Sequence, residues 1–103
     1  MKFKDKIKGI EEVVEFRNKN REKKFVVCVG VFDVLHPGHL YNLMFAKSQG
    51  DYVIVAVTAD DFVDKGPGRP FIPENIRAEI LASLEFVDFV VLERRKALLP
   101  HSG

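Results

Sequence analysis

Residues 25–39 read FVVCVGVFDVLHPGH. The stretch from Phe25 to Val31 is a continuous apolar run rich in β-branched valine. Such a run forms a strand buried on both faces, which is what a parallel sheet requires. Cys28 lies inside it with no basic neighbour in sequence to lower its pKa, so it reads as a core residue. Pro37 then opens a helix at the position where a missing N–H does no harm. Leu40, Leu43, Met44 and Lys47 follow at helical spacing, and Gly50 closes the segment as a C-terminal glycine would.

The same alternation continues on both sides. Tyr52 to Ala59 (YVIVAVTA) predicts a second buried strand, and Asp60 to Ile72 a loop carrying Gly66, Pro67, Gly68 and Pro70. A helix is expected from about Pro73 to Glu85 with Ile76, Ile80, Leu81 and Leu84 inward. Phe86 to Leu92 (FVDFVVL) gives a third strand. Upstream, Ile7, Ile10, Val13, Val14 and Phe16 recur at three- and four-residue steps, the mark of a short amphipathic helix. The order α-β-α-β-α-β implies an α/β fold with right-handed crossovers, a parallel sheet and helices on both faces. We divide the chain into an N-terminal helical arm (1–24), a core (25–92) and an irregular tail (93–103).

The 103 residues make one small domain, and 47% hydrophobic with 30% charged residues is ordinary globular composition. No apolar run approaches the ~20 residues needed to cross a bilayer. The N-terminus shows no apolar core with a cleavage site, so no signal peptide is read. A net charge of +1 argues against sequence-independent nucleic-acid binding. Residues 1–24 nevertheless hold nine basic and five acidic residues, which reads as a solvated helix face rather than an RNA- or phosphate-binding arm. A lone cysteine can form neither an internal disulfide nor a structural zinc site. A cytoplasmic location fits best.

Chemistry concentrates in Gly30 to His39. The segment runs from the carboxyl end of the first strand into a helix N-terminus, where α/β sheets bind ligands and where N–H groups and the helix dipole favour anions. His36 and His39 are three residues apart and share a face around the first helical turn. Gly38 between them lets a ligand approach the backbone. Two imidazoles at such a place suit a phosphate whose charge grows in a transition state. A zinc pair is disfavoured, because the chain offers few further ligands, and no metal site is assigned. Asp60, at the carboxyl end of the second strand, either faces the site or caps the loop.

GVFDVLHPGH resembles the G-x-F-D-x-x-H-x-G-H signature of the cytidylyltransferase-like nucleotidyltransferases. KGPGRPFIPENIRAEILASLEFVDFVV, residues 65–91, resembles a second block of that family. With the leading helix, the chain is most similar to the adenylyltransferase domains of bifunctional ADP-heptose synthases, over nearly its whole length to about Leu92. The resemblance implies a Rossmann-like three-layer sheet with its first three strands in the order 3-2-1. It implies in-line attack of an acceptor phosphate on the α-phosphorus of a nucleoside triphosphate, with pyrophosphate leaving. The acceptor is expected to be a sugar 1-phosphate such as heptose 1-phosphate, and the donor ATP with Mg²⁺. The alternatives are cytidylyl transfer from CTP to glycerol 3-phosphate or a similar polyol phosphate, and an inactive nucleotide-binding or assembly module.

By the same resemblance His36, His39 and Lys65 are catalytic. Val31, Phe32, Gly38 and Arg77 join the two histidines in binding the nucleotide. Lys65 contacts phosphate as a flexible point charge, or is a solvent lysine. Arg69 reaches a phosphate or caps the loop. Arg77 serves phosphate or nucleotide, or forms a helix-surface ion pair with Glu74 or Glu79. Asp33 braces its turn as a side-chain acceptor. The family pattern continues with two further strands and a Ser/Thr-rich block beyond this sequence. The first strand is therefore expected at an uncovered sheet edge, covered by a second copy in a homodimer.

Overall fold

The computed structural model describes residues 2–63 and 66–94. Three strands, β1 (Phe25–Gly30), β2 (Tyr52–Thr58) and β3 (Phe89–Glu93), form one sheet in the order β1-β2-β3. Both pairings are parallel, with Phe25 opposite Tyr52 and Ile54 opposite Phe89. Helices α1 (Ile10–Lys19), α2 (Pro37–Ser48) and α3 (Glu74–Ala82) complete the expected Rossmann-like α/β arrangement.

Alternation along the strands separates two packing faces. Val53, Val55, Val57 and Val90 meet Leu43 and Ala46 of α2 and Ala78, Leu81 and Ala82 of α3. Ile54 and Val91 on the other face meet Val13 of α1. Phe16 of α1 lies edge-on to Tyr52, with ring centroids 5.1 Å apart. Burying each aliphatic side chain contributes about 1.5–3 kcal/mol, so these two layers fix the sheet between its helices. No helix among the described residues is long and apolar enough to cross a membrane.

Four local expectations change. Ile76 and Ile80 do not turn inward: both are exposed, and α3 buries Arg77, Ala78, Leu81 and Ala82 instead. Ile7 is not helical: residues Phe3–Lys6 form a 3₁₀ turn, and Ile7 bridges to Val90 in parallel. The Lys8 amide donates to the Val90 carbonyl at 2.9 Å, so the N-terminal segment is stitched to β3. β3 starts at Phe89 rather than Phe86, because Asp88 turns back to accept from the Val53 amide at 2.7 Å and from Lys47 at 2.9 Å. Gly50 follows the Gln49 C-cap, and its need for glycine is proximity: a Cβ there would stand 2.8 Å from Val26 Cγ2 and 3.0 Å from the Lys24 carbonyl. The expected tail, 93–103, lies outside the described residues beyond Arg94.

β1 has a strand partner on one side only among the described residues. Val27, in the middle of it, is 57% exposed.

Candidate active site

Val31, Phe32 and Asp33 follow β1 as buried residues. Phe32 has φ +52, in the left-handed region. A non-glycine residue there costs about 1–3 kcal/mol and persists where its surroundings over-determine it. His36 then acts as the N-cap of α2. Its Nδ1 accepts from the Gly38 amide at 3.0 Å, and His39 Nδ1 accepts from the His36 amide at 3.3 Å. The two imidazole centroids are 4.0 Å apart.

These bonds fix a tautomer. A ring nitrogen that accepts a hydrogen bond carries no proton, so the neutral ring holds its proton on Nε2. Both imidazoles therefore turn an N–H away from the helix backbone. His36 is exposed, whereas His39 is buried against Phe32, with ring centroids 5.5 Å apart.

One expectation about this turn changes. The Gly38 amide is not available to an anion, because His36 takes it; the His39 amide donates to the His36 carbonyl at 3.0 Å. Imidazole N–H groups stand where bare helix amides were expected. Gly38 has a local steric role as well. A Cβ on it would sit 2.7 Å from His36 Cε1 and 3.0 Å from Nδ1. The glycine admits the imidazole of its own neighbour.

Asp33 is 1% exposed, and it serves a distant loop rather than its own turn. It accepts from Arg69 Nε at 2.6 Å and from the amides of Phe71 and Ile72, each at 2.9 Å. Burial pushes its pKa up, but the two amides and the hydrogen bond and charge of Arg69 outweigh that and hold it below the usual carboxylate value. Arg69 is thus a loop clasp, and its guanidinium also lies 4.4 Å over the Phe71 ring. Cys28 is half-buried, and burial raises its thiol pKa, in keeping with a core role.

Arg77 differs most from expectation. It is neither on the helix surface nor paired with Glu74 or Glu79. It is 1% exposed and donates from Nη1 to the carbonyls of Val31 and Thr58, both at 2.7 Å. Its Nε donates to the Ile72 carbonyl at 2.9 Å and its Nη2 to Asp60 Oδ1 at 2.5 Å. With three of its nitrogens committed to protein acceptors, Arg77 braces the site instead of lining it. Glu79 pairs with Lys4, and Glu74 with Arg94 and the Asp60 amide. Asp60 does stand at the carboxyl end of the sheet, one edge of its carboxylate held by Arg77. Lys65 lies outside the described residues.

Ile72 and Thr58 enter the site through their carbonyls and were not read from the sequence. The available signal for Ile72 was Pro73: a residue before proline is held extended, and its carbonyl is left for a non-local partner.

The turn borders a hollow of about 320 Å³ along the open side of β1, lined by Val27, Cys28, Phe32, His39, Asn42 and Leu43 among others. A cavity of about 760 Å³ lies on the α1 face of the sheet; its walls are mostly apolar, including Ile10, Val14, Val27, Ile54 and Ala56, with Arg17, Glu93 and Arg94 among them and no histidine. Of the two imidazoles, His39 lines the smaller one.

A parallel sheet whose first strand-to-helix turn carries two oriented imidazoles defines an α/β domain with its ligand crevice at the strands' carboxyl ends. The chain belongs to the cytidylyltransferase-like family, which it matches over residues 27–101. It is 48% identical over 89 residues to the bifunctional protein HldE of Sulfurimonas denitrificans, covering 82% of this chain and 19% of that protein. The HldE protein of Campylobacter jejuni is 44% identical over 94 residues, covering 89% of this chain and 20% of the relative. This chain thus spans about a fifth of the length of these relatives. Among solved structures, the lipopolysaccharide core biosynthesis protein of Thermoplasma volcanium superposes with a TM-score of 0.65 at 33% identity, over 70% of this chain and 59% of that one.

Proposed function

We propose that the domain transfers an adenylyl group from ATP to a sugar 1-phosphate, such as heptose 1-phosphate, with release of pyrophosphate. The observation that carries this reading is the backbone-fixed pair of imidazoles, each with its proton on Nε2. In the reaction an acceptor phosphate oxygen bonds to the α-phosphorus as the bond to the β-phosphate oxygen breaks. The electron pair and the growing negative charge go to pyrophosphate. Pre-oriented N–H donors stabilise such charge; His36 supplies one at the surface, and His39 stands beside it, buried, with ring centroids 4.0 Å apart. The likeness to HldE proteins and to a lipopolysaccharide core biosynthesis protein supports a sugar phosphate over a polyol phosphate as acceptor.

Mg²⁺ belongs to the same proposal as the triphosphate's own counter-ion. No group of three His, Cys, Asp or Glu side chains that could hold a metal occurs among the described residues. Asp33 and Asp60, the carboxylates at the site, are engaged by Arg69 and Arg77. An ion held by phosphate oxygens and water fits this setting. Lys65 is the proposed cation for phosphate. A homodimer and a cytoplasmic location complete the reading, the first supported by the apolar edge of β1, which has no second strand partner among the described residues.

The test is a comparison of ATP–Mg²⁺ and CTP–Mg²⁺ by thermal shift, followed by pyrophosphate release with heptose 1-phosphate and glycerol 3-phosphate. Stabilisation by ATP and release with the sugar phosphate are expected. Preference for CTP with glycerol 3-phosphate would move the domain to the cytidylyl reading. Stabilisation without release by any pair would make it a binding module.

A further inference from the structure

We infer that Arg77 is a positioning residue: it holds the left-handed Phe32, and through Phe32 the imidazole of His39, in place from beneath. The Val31 carbonyl belongs to the peptide on the N-terminal side of the Phe32 φ bond, and Arg77 Nη1 grips it at 2.7 Å. Asp33, on the other side of Phe32, is immobilised by the Ile72 amide at 2.9 Å. Ile72 in turn offers its carbonyl to Arg77 Nε at 2.9 Å. These contacts close a ring that runs Val31, Phe32, Asp33, Ile72, Arg77 and back to Val31. Both flanks of Phe32 are therefore tied to one residue, Ile72, and to one buried guanidinium.

The ring explains how a phenylalanine is kept at φ +52. Neither half alone would do so, since a free Val31 carbonyl could rotate and let Phe32 relax to negative φ. Relaxation would swing the Phe32 ring off His39, whose centroid is 5.5 Å away. A third tie reaches β2, because Arg77 Nη1 also holds the Thr58 carbonyl at 2.7 Å. The carboxyl ends of β1 and β2 are thus locked to each other above the last ladder pair, Gly30 with Val57. Four acceptors spread around a planar fork need a guanidinium; an ammonium is a compact point charge and cannot span them.

The catalytic part of this inference rests on the proposed nucleotidyl transfer, but the structural part does not, and the experiment separates them. The Arg77→Lys protein is examined by NMR for nuclear Overhauser contacts between the Phe32 ring and the His39 imidazole. Leu81→Val, a core change away from the ring of contacts, serves as a control for lost stability. Arg77→Lys is expected to lose the Phe32–His39 contact and shift the His39 imidazole protons, while Leu81→Val keeps both. If Arg77→Lys does not fold, Asp33→Asn opens the same ring from the opposite side and is expected to give the same loss. In a turnover assay, kcat of Arg77→Lys should fall about 100-fold with KM for the triphosphate little changed, as for a small misplacement of a reacting group. Retention of the Phe32–His39 contact in both Arg77→Lys and Asp33→Asn would overturn the inference and leave Arg77 a purely structural residue. Loss of the contact in a protein without turnover would uphold the inference and refute the proposed reaction alone.

Discussion

Asp33 and Arg77 hold Ile72 from opposite sides: the carboxylate accepts its N–H and the guanidinium donates to its carbonyl, both at 2.9 Å. The two residues are far apart in sequence and belong to different elements. Their shared grip joins the β1–α2 turn to the loop that enters α3.

Because the native pKa of Asp33 is depressed, its contribution to stability has a definite pH dependence. It is fully present above the unfolded-state value of about 3.9 and is lost as pH falls through the lower native value. Acid unfolding should therefore steepen below about pH 4. Asp33→Asn leaves Arg69 and two amides facing a poorer acceptor, and should cost about 1.5–3 kcal/mol at neutral pH. Urea melts at pH 7 and pH 3 check both points: the difference between parent and variant should shrink at the lower pH.

His36 has two separable duties. As N-cap it satisfies the Gly38 amide, and as an imidazole it offers Nε2–H. His36→Ala should lose the cap, at about 1 kcal/mol. His36→Asn can still cap α2 but presents no imidazole donor, so it should melt close to the parent. Turnover should fall in both by about 100- to 1,000-fold, as for one lost oxyanion-type donor. Comparison of melting curves with pyrophosphate release distinguishes the duties; equal turnover in parent and His36→Asn would remove His36 from the mechanism.

Gly38→Ala places a methyl group 2.7 Å from His36 Cε1. The ring must leave its cap, whereas the helix gains up to about 1 kcal/mol of propensity from the exchange. The variant should keep a near-parental melting temperature and lose the His36 Nδ1 bond, seen as a changed tautomer pattern in ¹⁵N spectra of the imidazoles.

The β1–α2 turn was legible because its chemistry is local. Pro37 at N1 and the 36/39 spacing describe one helical turn, and the valine runs describe buried strands whatever follows them. Arg77 was not legible for the converse reason. Its sequence neighbours Glu74 and Glu79 offer a plausible surface pairing, but its acceptors are carbonyls at Val31 and Thr58, 46 and 19 residues away. Carbonyl partners leave no trace in residue type. Asp33 shows the same limit: its need for donors was evident, but the donors are at Arg69, Phe71 and Ile72. Ile7 was misplaced because its apolar spacing fits a helix as well as an edge bridge to Val90.

FVVCVG in β1 has no charge, no Pro and, among the described residues, a strand partner on one side only, the features that invite pairing. A two-fold dimer would pair the two β1 strands antiparallel. Light scattering at micromolar concentration should report twice the chain mass. Val27→Lys, at a residue 57% exposed on that strand, should return the monomer. A parent that is already monomeric would refute the dimer.

The central claim is that a triphosphate is met by the imidazole pair at the β1–α2 turn, and an NMR titration with ATP–Mg²⁺ addresses it directly. Saturable shifts are expected at the His36 and His39 imidazoles and at the amides of Phe32 and Gly38, with α1 unmoved. Shifts confined to the cavity between α1 and the sheet, with His36 and His39 silent, would contradict the claim.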